Sequence, residues 1–510
     1  MADWTKGYFT EVQYTGRFFA QLAPGYLAFA CLRQGVRPPK LGPGSAYLEL
    51  GCGQGQTLNI LAAANPQMSF MGVDFHPGQI ANARRLAETA GLTNARFEDW
   101  SFEQMAAAPD PVAEKYDVIA LHGIYSWVGP ESRAAIVRIL DRMLKPGGLV
   151  YVSYNALPGW ATLQPLQHFI RAYAQRQPGD PRDAVVKALE AARDMAAGGA
   201  KFFAVTPALK STIEKALGQD PAYLVHEYLH EGSSPQHHAE VVHDFRSARL
   251  EYAGTASQAE DFINLAVAEP LRPQVASAGD PVWRETLMDY ANNKMFRRDI
   301  FVRGRNALST RERDEQLAQV RLALLPAAEG TNFEFNVPLG RTAGDPRIYQ
   351  PIVDTLAQGP RTYGEIAALP ALAATDARVL YQAMAMLAGG GLIHPVNDEA
   401  VDAKPAQALN RAIIGDLAHE PGTANLAAPV VGGGVQANFV EVLGIGARLN
   451  GETDTAAAAR GAALLAAAGR KMVVDGQELA DGAPTEAHLI ARLKQFETNR
   501  APLFKALGVF

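Results

Sequence analysis

Ala46–Gly55 reads AYLELGCGQG, and this stretch decides the fold. Ala46 to Leu50 is an apolar run of strand length, and a helical pattern begins near Thr57. Between them Gly51, Gly53 and Gly55 strip side chains from a tight turn. A ligand can then approach the backbone closely, with helix N–H groups facing it. A phosphate-gripping loop would end in Gly-Lys-Ser/Thr, which this loop lacks. A dinucleotide fingerprint would carry a third glycine at position 56, where Gln56 stands. What remains is E-x-G-x-G-x-G starting at Glu49. A ligand-free strand-to-helix turn is the plain alternative, and the next signals along the chain weigh against it.

Strand and helix alternate from there. A second strand, Ser69–Val73, ends at Asp74, and a helix follows over Pro77–Ala90. A third strand holds Ala95–Phe97, followed by Glu98-Asp99-Trp100. A fourth, Tyr116–Leu121, is bounded by His122. A helix over Glu131–Leu144 stops at Lys145-Pro146-Gly147-Gly148, before a fifth strand over Leu149–Ser153. Repeated βα units predict an α/β, doubly wound, Rossmann-like sheet, with its ligand beyond the carboxyl ends beside strand one. An acid at the end of strand two can accept both ribose hydroxyls of a nucleoside, which assigns Asp74. Asp99 can accept from an adenine amino group, and Trp100 offers a stacking face. Packing is the reading for Cys52.

Composition narrows the class. The chain has 510 residues, enough for two or three domains, and 48% hydrophobic content, enough for a sizeable core. A net charge of −6 argues against a large nucleic-acid footprint. Two cysteines, Cys31 and Cys52, make neither a disulfide framework nor a Cys-x-x-Cys metal site, which suits a reducing, cytoplasmic setting. The first residues carry no cationic-then-apolar signal pattern, and no apolar run reaches the ~18 residues of a membrane span.

The remaining segments read as follows. Residues 1–45 form a helical lead-in rich in aromatics, with Tyr14 a core aromatic that could otherwise close over a ligand. Residues 160–245 read as a helical insertion. Leu250–Gly254 and Phe301–Arg303 read as closing strands, antiparallel in the usual arrangement. Residues 306–345 read as a linker. Residues 346–510 open with helix, helix, helix, strand over 346–396, in winged-helix-like order, and that order suits protein packing better than nucleic-acid binding. Lys294, Arg297, Arg298, Arg303, Arg305, Arg311 and Arg313, interleaved with acids, read as a solvated or domain-contact face.

E-x-G-x-G-x-G resembles the first motif of class I S-adenosylmethionine-dependent methyltransferases, whose loop cradles the methionine part of the cofactor. ELGCGQG, HGIYSWV, KPGGLVYVSYNALPGW, YLVHEYL and FRRDIFVRG together resemble bacterial methyltransferases with a regulatory domain, a group that includes rickettsial outer-membrane-protein lysine methyltransferases. The resemblance covers about 46–305 well and weakens beyond, where that family also carries a winged-helix-like region. It implies a seven-stranded methyltransferase sheet and S-adenosylmethionine as cofactor. The implied cofactor set is Glu49, Gly51, Cys52, Gly53, Gly55, Asp74, Phe75, Asp99, Trp100 and His122. One departure stands at Leu22-Ala23-Pro24, where relatives often carry Thr-His-Pro.

The loops after strands four and five, LHGIYSWVGP and YVSYNALPGW, supply Tyr125, Trp127, Tyr154 and Asn155 as candidate catalytic groups. Trp160 and Glu227 are candidate substrate contacts. Methyl transfer is an in-line displacement that needs a positioned, neutral nucleophile. Aromatic faces suit an alkylamine and attract its cationic form. No Asn-Pro-Pro-Tyr-type motif follows strand four, which disfavours planar base or glutamine amines. A protein amine, lysine, is the expected acceptor. A small-molecule N- or O-methyl acceptor is the alternative, and a non-catalytic cofactor-binding scaffold a remote one. A homodimer is left open.

The competing motif is His226-Glu227-Tyr228-Leu229-His230, which fits the H-E-x-x-H of zinc peptidases, with His237, His238 and His243 nearby. Gly232 and Ser233-Ser234-Pro235 break the helix just past His230, and no G-x-x-H follows. The expectation is therefore a capping and packing cluster with no metal.

Overall fold

The computed structural model describes residues 16–108, 115–397, 401–417, 422–474 and 477–510. Its centre is a seven-stranded sheet built from β1 (Ala46–Leu50), β2 (Ser69–Val73), β3 (Ala95–Glu98), β4 (Tyr116–Leu121), β5 (Leu144–Asn155), β6 (Leu250–Thr255) and β7 (Phe296–Arg303). The order is β3-β2-β1-β4-β5-β7-β6. The order reverses beside β1, so the crevice for a ligand opens above the carboxyl ends of β1 and β4. Pairings β1–β2, β1–β4, β2–β3 and β4–β5 are parallel. β7 runs antiparallel to both β5 and β6. Only β7 is therefore reversed, whereas the sequence reading reversed both closing strands.

β1 is buried at all five positions, as a central parallel strand covered on both faces must be. Helices α1 (Pro24–Arg33), α2 (Gln56–Ala64), α3 (Pro77–Thr89), α4 (Phe102–Ala107) and α5 (Pro130–Met143) cover the faces. One core gathers Leu48, Leu50, Ile119, Val152, Ile136 and Phe245, and the other gathers Tyr47, Val118, Tyr151, Leu27 and Leu58. The expected helical insertion appears as α6 (Leu163–Ala174), α7 (Pro181–Ala197), α8 (Lys201–Val205), α9 (Ala208–Leu217), α10 (Pro221–Leu229) and α11 (His238–Arg246).

Three further boundaries differ from the sequence reading. Lys145–Gly148, read as a stop, lies within β5: Leu144 pairs with Tyr116, and pairing resumes at Leu149 with Val118 after a register shift. β7 begins five residues before the expected Phe301, because its first half carries charges. Arg297, read as part of a solvated face, is 3% exposed. It binds Asp289 at 2.6 Å, Glu285 at 2.8 Å and Asp299 at 3.0 Å. A buried arginine is tolerated only with such partners. Finally, residues 306–345 are no simple linker. They hold a helix, Thr310–Gln319, a strand, Arg321–Leu324, and a hairpin, Glu334–Val337 with Gly340–Ala343. Leu322 and Leu324 are buried in the core of the following module, which accounts for the order there.

The strand Arg321–Leu324 pairs antiparallel with Arg361–Thr362 and Ile393–Pro395, and helices Pro346–Ala357, Tyr363–Ala367 and Ala377–Gly389 pack around it. The rest of the C-terminal region includes a hairpin, Ala424–Ala428 with Gly433–Ala437, seated against α2 and α3: Ile60, Ala63, Leu86 and Ala90 share its core. Helix α2, which starts at the glycine loop, is thus covered on both sides. In the lead-in, Ala20–Leu22 is a 3-10 turn followed by α1, while Tyr8, Phe9, Val12 and Tyr14 lie outside the described residues. Ala23, in the departing Leu22-Ala23-Pro24 segment, is fully buried. No helix among the described residues is long and apolar enough to cross a membrane.

Candidate active site

The glycine loop is wired to the end of β2. Gly51 N–H and Cys52 N–H both donate to the Val73 carbonyl, at 2.7 and 3.1 Å. Gly53 N–H donates to Asp74 Oδ2 and His76 N–H to Asp74 Oδ1, each at 3.0 Å. Two of the glycines are obligatory for shape. Gly51 has φ +75°, and a Cβ there would stand 2.2 Å from Ile124 Cδ1. Gly55 has φ +69°, and a Cβ there would meet Ala83 Cβ at 2.5 Å. Cys52 is buried, with Sγ packed over Gly72 and the thiol pKa pushed up by burial.

Above the carboxyl ends of β1 and β4 lies a cavity of about 440 Å³. Of the residues singled out from sequence, Glu49, Gly51, Cys52, Gly53, Asp74, Phe75, His122, Trp127, Asn155 and Glu227 line it. The cavity thus joins the ends of β1, β2, β4 and β5 with α10 of the insertion. Glu49 is 4% exposed and its Oε2 has no protein partner; burial, then the charge of Asp74, pushes its carboxyl up to about 8. Burial also raises Asp74, against the opposing N–H bonds from His76 and Gly53. His122 Nδ1 lies 2.9 Å from the Tyr151 hydroxyl, and burial followed by the Arg298 charge brings its pKa down to about 3. That imidazole is neutral at any working pH.

On the other wall, Glu227 is half-buried and accepts from the Tyr223 hydroxyl at 3.2 Å. Loss of solvent pushes its carboxyl up to about 7. Trp127 is braced edge-on by Trp160 at 6.3 Å, and the His230 ring lies tilted beside it at 5.6 Å. Asn155 N–H donates to Ser126 Oγ at 3.0 Å, while its side-chain Nδ2 has no protein partner.

Other candidates fall elsewhere. Tyr125 is fully buried in the core, with its hydroxyl donating to Asp244 at 2.6 Å. Tyr154 is fully buried and donates to Asp299 at 2.6 Å, in the network around Arg297. Both are corrections to the sequence reading: each hydroxyl is spent on an internal carboxylate, and neither lines the cavity. Trp160 stands behind Trp127 rather than in the lining. Gly55 shapes the loop from below. Asp99 is exposed and Trp100 packs against the core, while Phe102, two residues on, enters the lining.

Sequence reasoning did not place Phe19, Tyr223 or Phe296 in the site; His226, read as part of a packing cluster, and Arg298, read as part of a solvated face, line the cavity as well. Tyr223 was findable, since it precedes Glu227 by one helical turn. The histidines do not form a peptidase site. α10 ends at Leu229, and His230 has extended backbone, ψ 134°, so the two histidines do not share a helix face. His230 Nε2 contacts the Trp127 carbonyl at 2.5 Å, His238 Nδ1 pairs with Asp299 at 3.0 Å, and His243 is exposed. Among the described residues no three His, Cys, Asp or Glu side chains gather as a metal-ligand group.

Comparison with known proteins decides the family. A methyltransferase-domain profile matches residues 48–150, and a profile described as a predicted methyltransferase regulatory domain matches residues 220–303. An uncharacterized protein of Synechocystis sp. is 35% identical over 99% of both chains. The chain belongs to the methyltransferases with a methyltransferase regulatory domain. A second relative, an uncharacterized protein of Rickettsia prowazekii, is 27% identical over 57% of this chain and 51% of its own length. PKMT2 from Rickettsia typhi in complex with AdoHcy has the same fold: TM-score 0.70 at 19% identity, over 95% of this chain and 99% of that one. This methyltransferase uses S-adenosylmethionine as methyl donor. The regulatory-domain match begins at the N-cap of α10 and ends with β7, so it includes Glu227 and Arg297 with its partners Glu285, Asp289 and Asp299.

Proposed function

We propose that the cavity is the S-adenosylmethionine site and that the acceptor is a protein amine, a lysine side chain. The residues fit the cofactor. The glycine loop offers backbone at a point where a Cβ would clash, Asp74 is held by two N–H bonds at the end of β2, and Glu49 presents an unpartnered carboxyl oxygen. When bound, the cofactor supplies an electrophilic methyl on a sulfonium. Neutral His122 places no positive charge against it.

The observation that carries the substrate reading is Glu227, a half-buried carboxyl with pKa near 7 in the same cavity as the glycine loop. A lysine arrives as an ammonium and must lose a proton before it can attack. A carboxylate titrating near neutrality can take that proton. Trp127 offers a braced aromatic face for the alkyl stem and its charge. The resemblance to rickettsial protein lysine methyltransferases supports the same class. The test is transfer of radiolabelled methyl into a lysate lacking the host's own copy, separated by size. Label in protein supports the proposal. Label confined to the small-molecule fraction overturns it in favour of a small N- or O-methyl acceptor.

Two expectations follow from the walls of the cavity. Trp127→Ala should remove most transfer while leaving S-adenosylmethionine binding within about two-fold, because the ring serves the acceptor side. Parallel loss of both would make Trp127 a cofactor or core residue. The second concerns Glu49. With a pKa of about 8 it is mostly protonated at pH 7 in the free chain. The cofactor's ammonium and sulfonium favour the carboxylate, so binding releases a proton. Affinity should therefore rise from pH 6 to 8 and level off above. Calorimetry in buffers of different ionisation enthalpy reads the released proton directly, and flat affinity with no release would contradict the assignment of Glu49.

A further inference from the structure

Residues 16–19 cross the cavity as a strap. Gly16, Arg17 and Phe19 line it. The Phe19 ring stacks on His122 with centroids 3.7 Å apart. Thr57, in the first turn of α2, fastens the strap twice: its hydroxyl donates to the Arg17 carbonyl at 3.0 Å and accepts from Phe19 N–H at 3.3 Å. The Arg17 guanidinium lies over the Tyr223 ring at 5.0 Å, which ties the strap to α10.

Phe19 has extended backbone, φ −116° and ψ 101°, and neighbouring side chains of an extended segment point to opposite sides. Phe18 accordingly leaves the cavity. It packs in the seam between the methyltransferase core and the C-terminal region, in contact with the apolar clusters of both. Its ring lies 3.0 Å from where a Cβ on Gly434 would stand, with Ile60 of α2 at 2.9 Å from the same point. Gly434 belongs to the C-terminal hairpin strand that pairs with Ala424–Ala428. A glycine there makes room for the ring. One dipeptide therefore touches the C-terminal module on one side and the cavity on the other.

We propose that Phe18 is a positioning residue through which the C-terminal module sets cofactor retention. Seated against Gly434, Phe18 holds Phe19 down on His122 and keeps the strap over the bound cofactor. This rests on the reading of the cavity as the cofactor site. The module then serves the reaction from outside the cavity, by slowing release of cofactor and of its demethylated product. Phe18 touches neither, so its effect belongs to the dissociation rate.

The experiment measures S-adenosylhomocysteine association and dissociation for the full chain by stopped-flow. Phe18→Ala and Gly434→Val reach the seat from opposite sides, one emptying it and one filling it. Each should raise the dissociation rate about ten-fold with association changed less than about two-fold. Phe18→Leu, which keeps an apolar side chain in the seam, should restore most of the retention, and it gives the same reading at a smaller shift if Phe18→Ala fails to fold. Leu489→Ala, in a separate core of the C-terminal module, loosens the module without touching the strap and should leave dissociation unchanged. Wild-type dissociation rates in the Phe18 and Gly434 variants overturn the proposal, as does an equal rise in Leu489→Ala. Failure of the wild type to bind S-adenosylhomocysteine overturns the cavity assignment itself, a distinct result.

Discussion

Asp74→Ala is expected to weaken S-adenosylmethionine binding by about 10- to 150-fold, the equivalent of roughly 1.5–3 kcal/mol for hydrogen bonds to a charged group. Two losses combine. The cofactor's ribose loses an acceptor at the end of β2. The Gly53 and His76 N–H groups lose the carboxylate that orients them, at 3.0 Å each. The second loss disorders the glycine loop, so Asp74→Asn should recover part of the binding: an amide oxygen can still accept one of the two N–H bonds. Calorimetry on the three proteins reads the series. Equal affinity across wild type, Asn and Ala would remove Asp74 from the site. Loss in Asn as complete as in Ala would mean that charge alone matters.

Glu227→Gln is expected to lower methyl transfer at pH 7 by about 100- to 1,000-fold, within the range for loss of a general base. Cofactor affinity should be unchanged, because Glu227 lies on the α10 wall rather than on the glycine loop. The pH dependence carries the sign. In the wild type the rate rises as Glu227 ionises through about 7. In the variant the amine must deprotonate without help, and a free lysine titrates near pH 10.4. The gap between the two proteins should therefore narrow as pH climbs from 7 to 9.5. A gap constant across that range would show that Glu227 binds the acceptor rather than taking its proton.

Much of the fold was legible because its signals are local. The apolar run Ala46–Leu50 before three glycines could be little other than a buried parallel strand meeting a helix, and Asp74 declared the end of the next one. The two tyrosine errors have a common cause in partners distant along the chain. Tyr125 and Tyr154 sit in loops and strand ends that border the cavity, so their side chains were read as facing it. Their hydroxyls are bonded instead to Asp244 and Asp299, more than a hundred residues away. Nothing near either tyrosine announces that carboxylate. The Arg297 segment failed differently: Asp289 and Glu285 lie only 8 and 12 residues before it, on the helix Pro281–Asn292, and its charges read as solvated until that helix is seen to close over them. Phe19 and Phe296 reach the cavity from outside the βα core, on elements whose approach depends on tertiary packing.

The Arg297 network also gives the regulatory-domain segment a structural role. It joins β7 to Asp289, Glu285 and, through Asp299, to His238 and Tyr154. Tyr154 immediately precedes Asn155, which lines the cavity. Tyr125 and Tyr154 thus brace from behind the loops they were expected to act from.

Under the proposed function an amine nitrogen on a protein receives the methyl group and Glu227 takes its proton. Acid hydrolysis and amino-acid analysis of labelled lysate protein, run in parallel for wild type and Glu227→Gln at pH 7, tests it most directly. Methyl-lysine is the expected labelled product, falling by about two orders of magnitude in the variant. Label lost on hydrolysis, as a methyl ester would be, or methyl-lysine formed equally by both proteins, would contradict it.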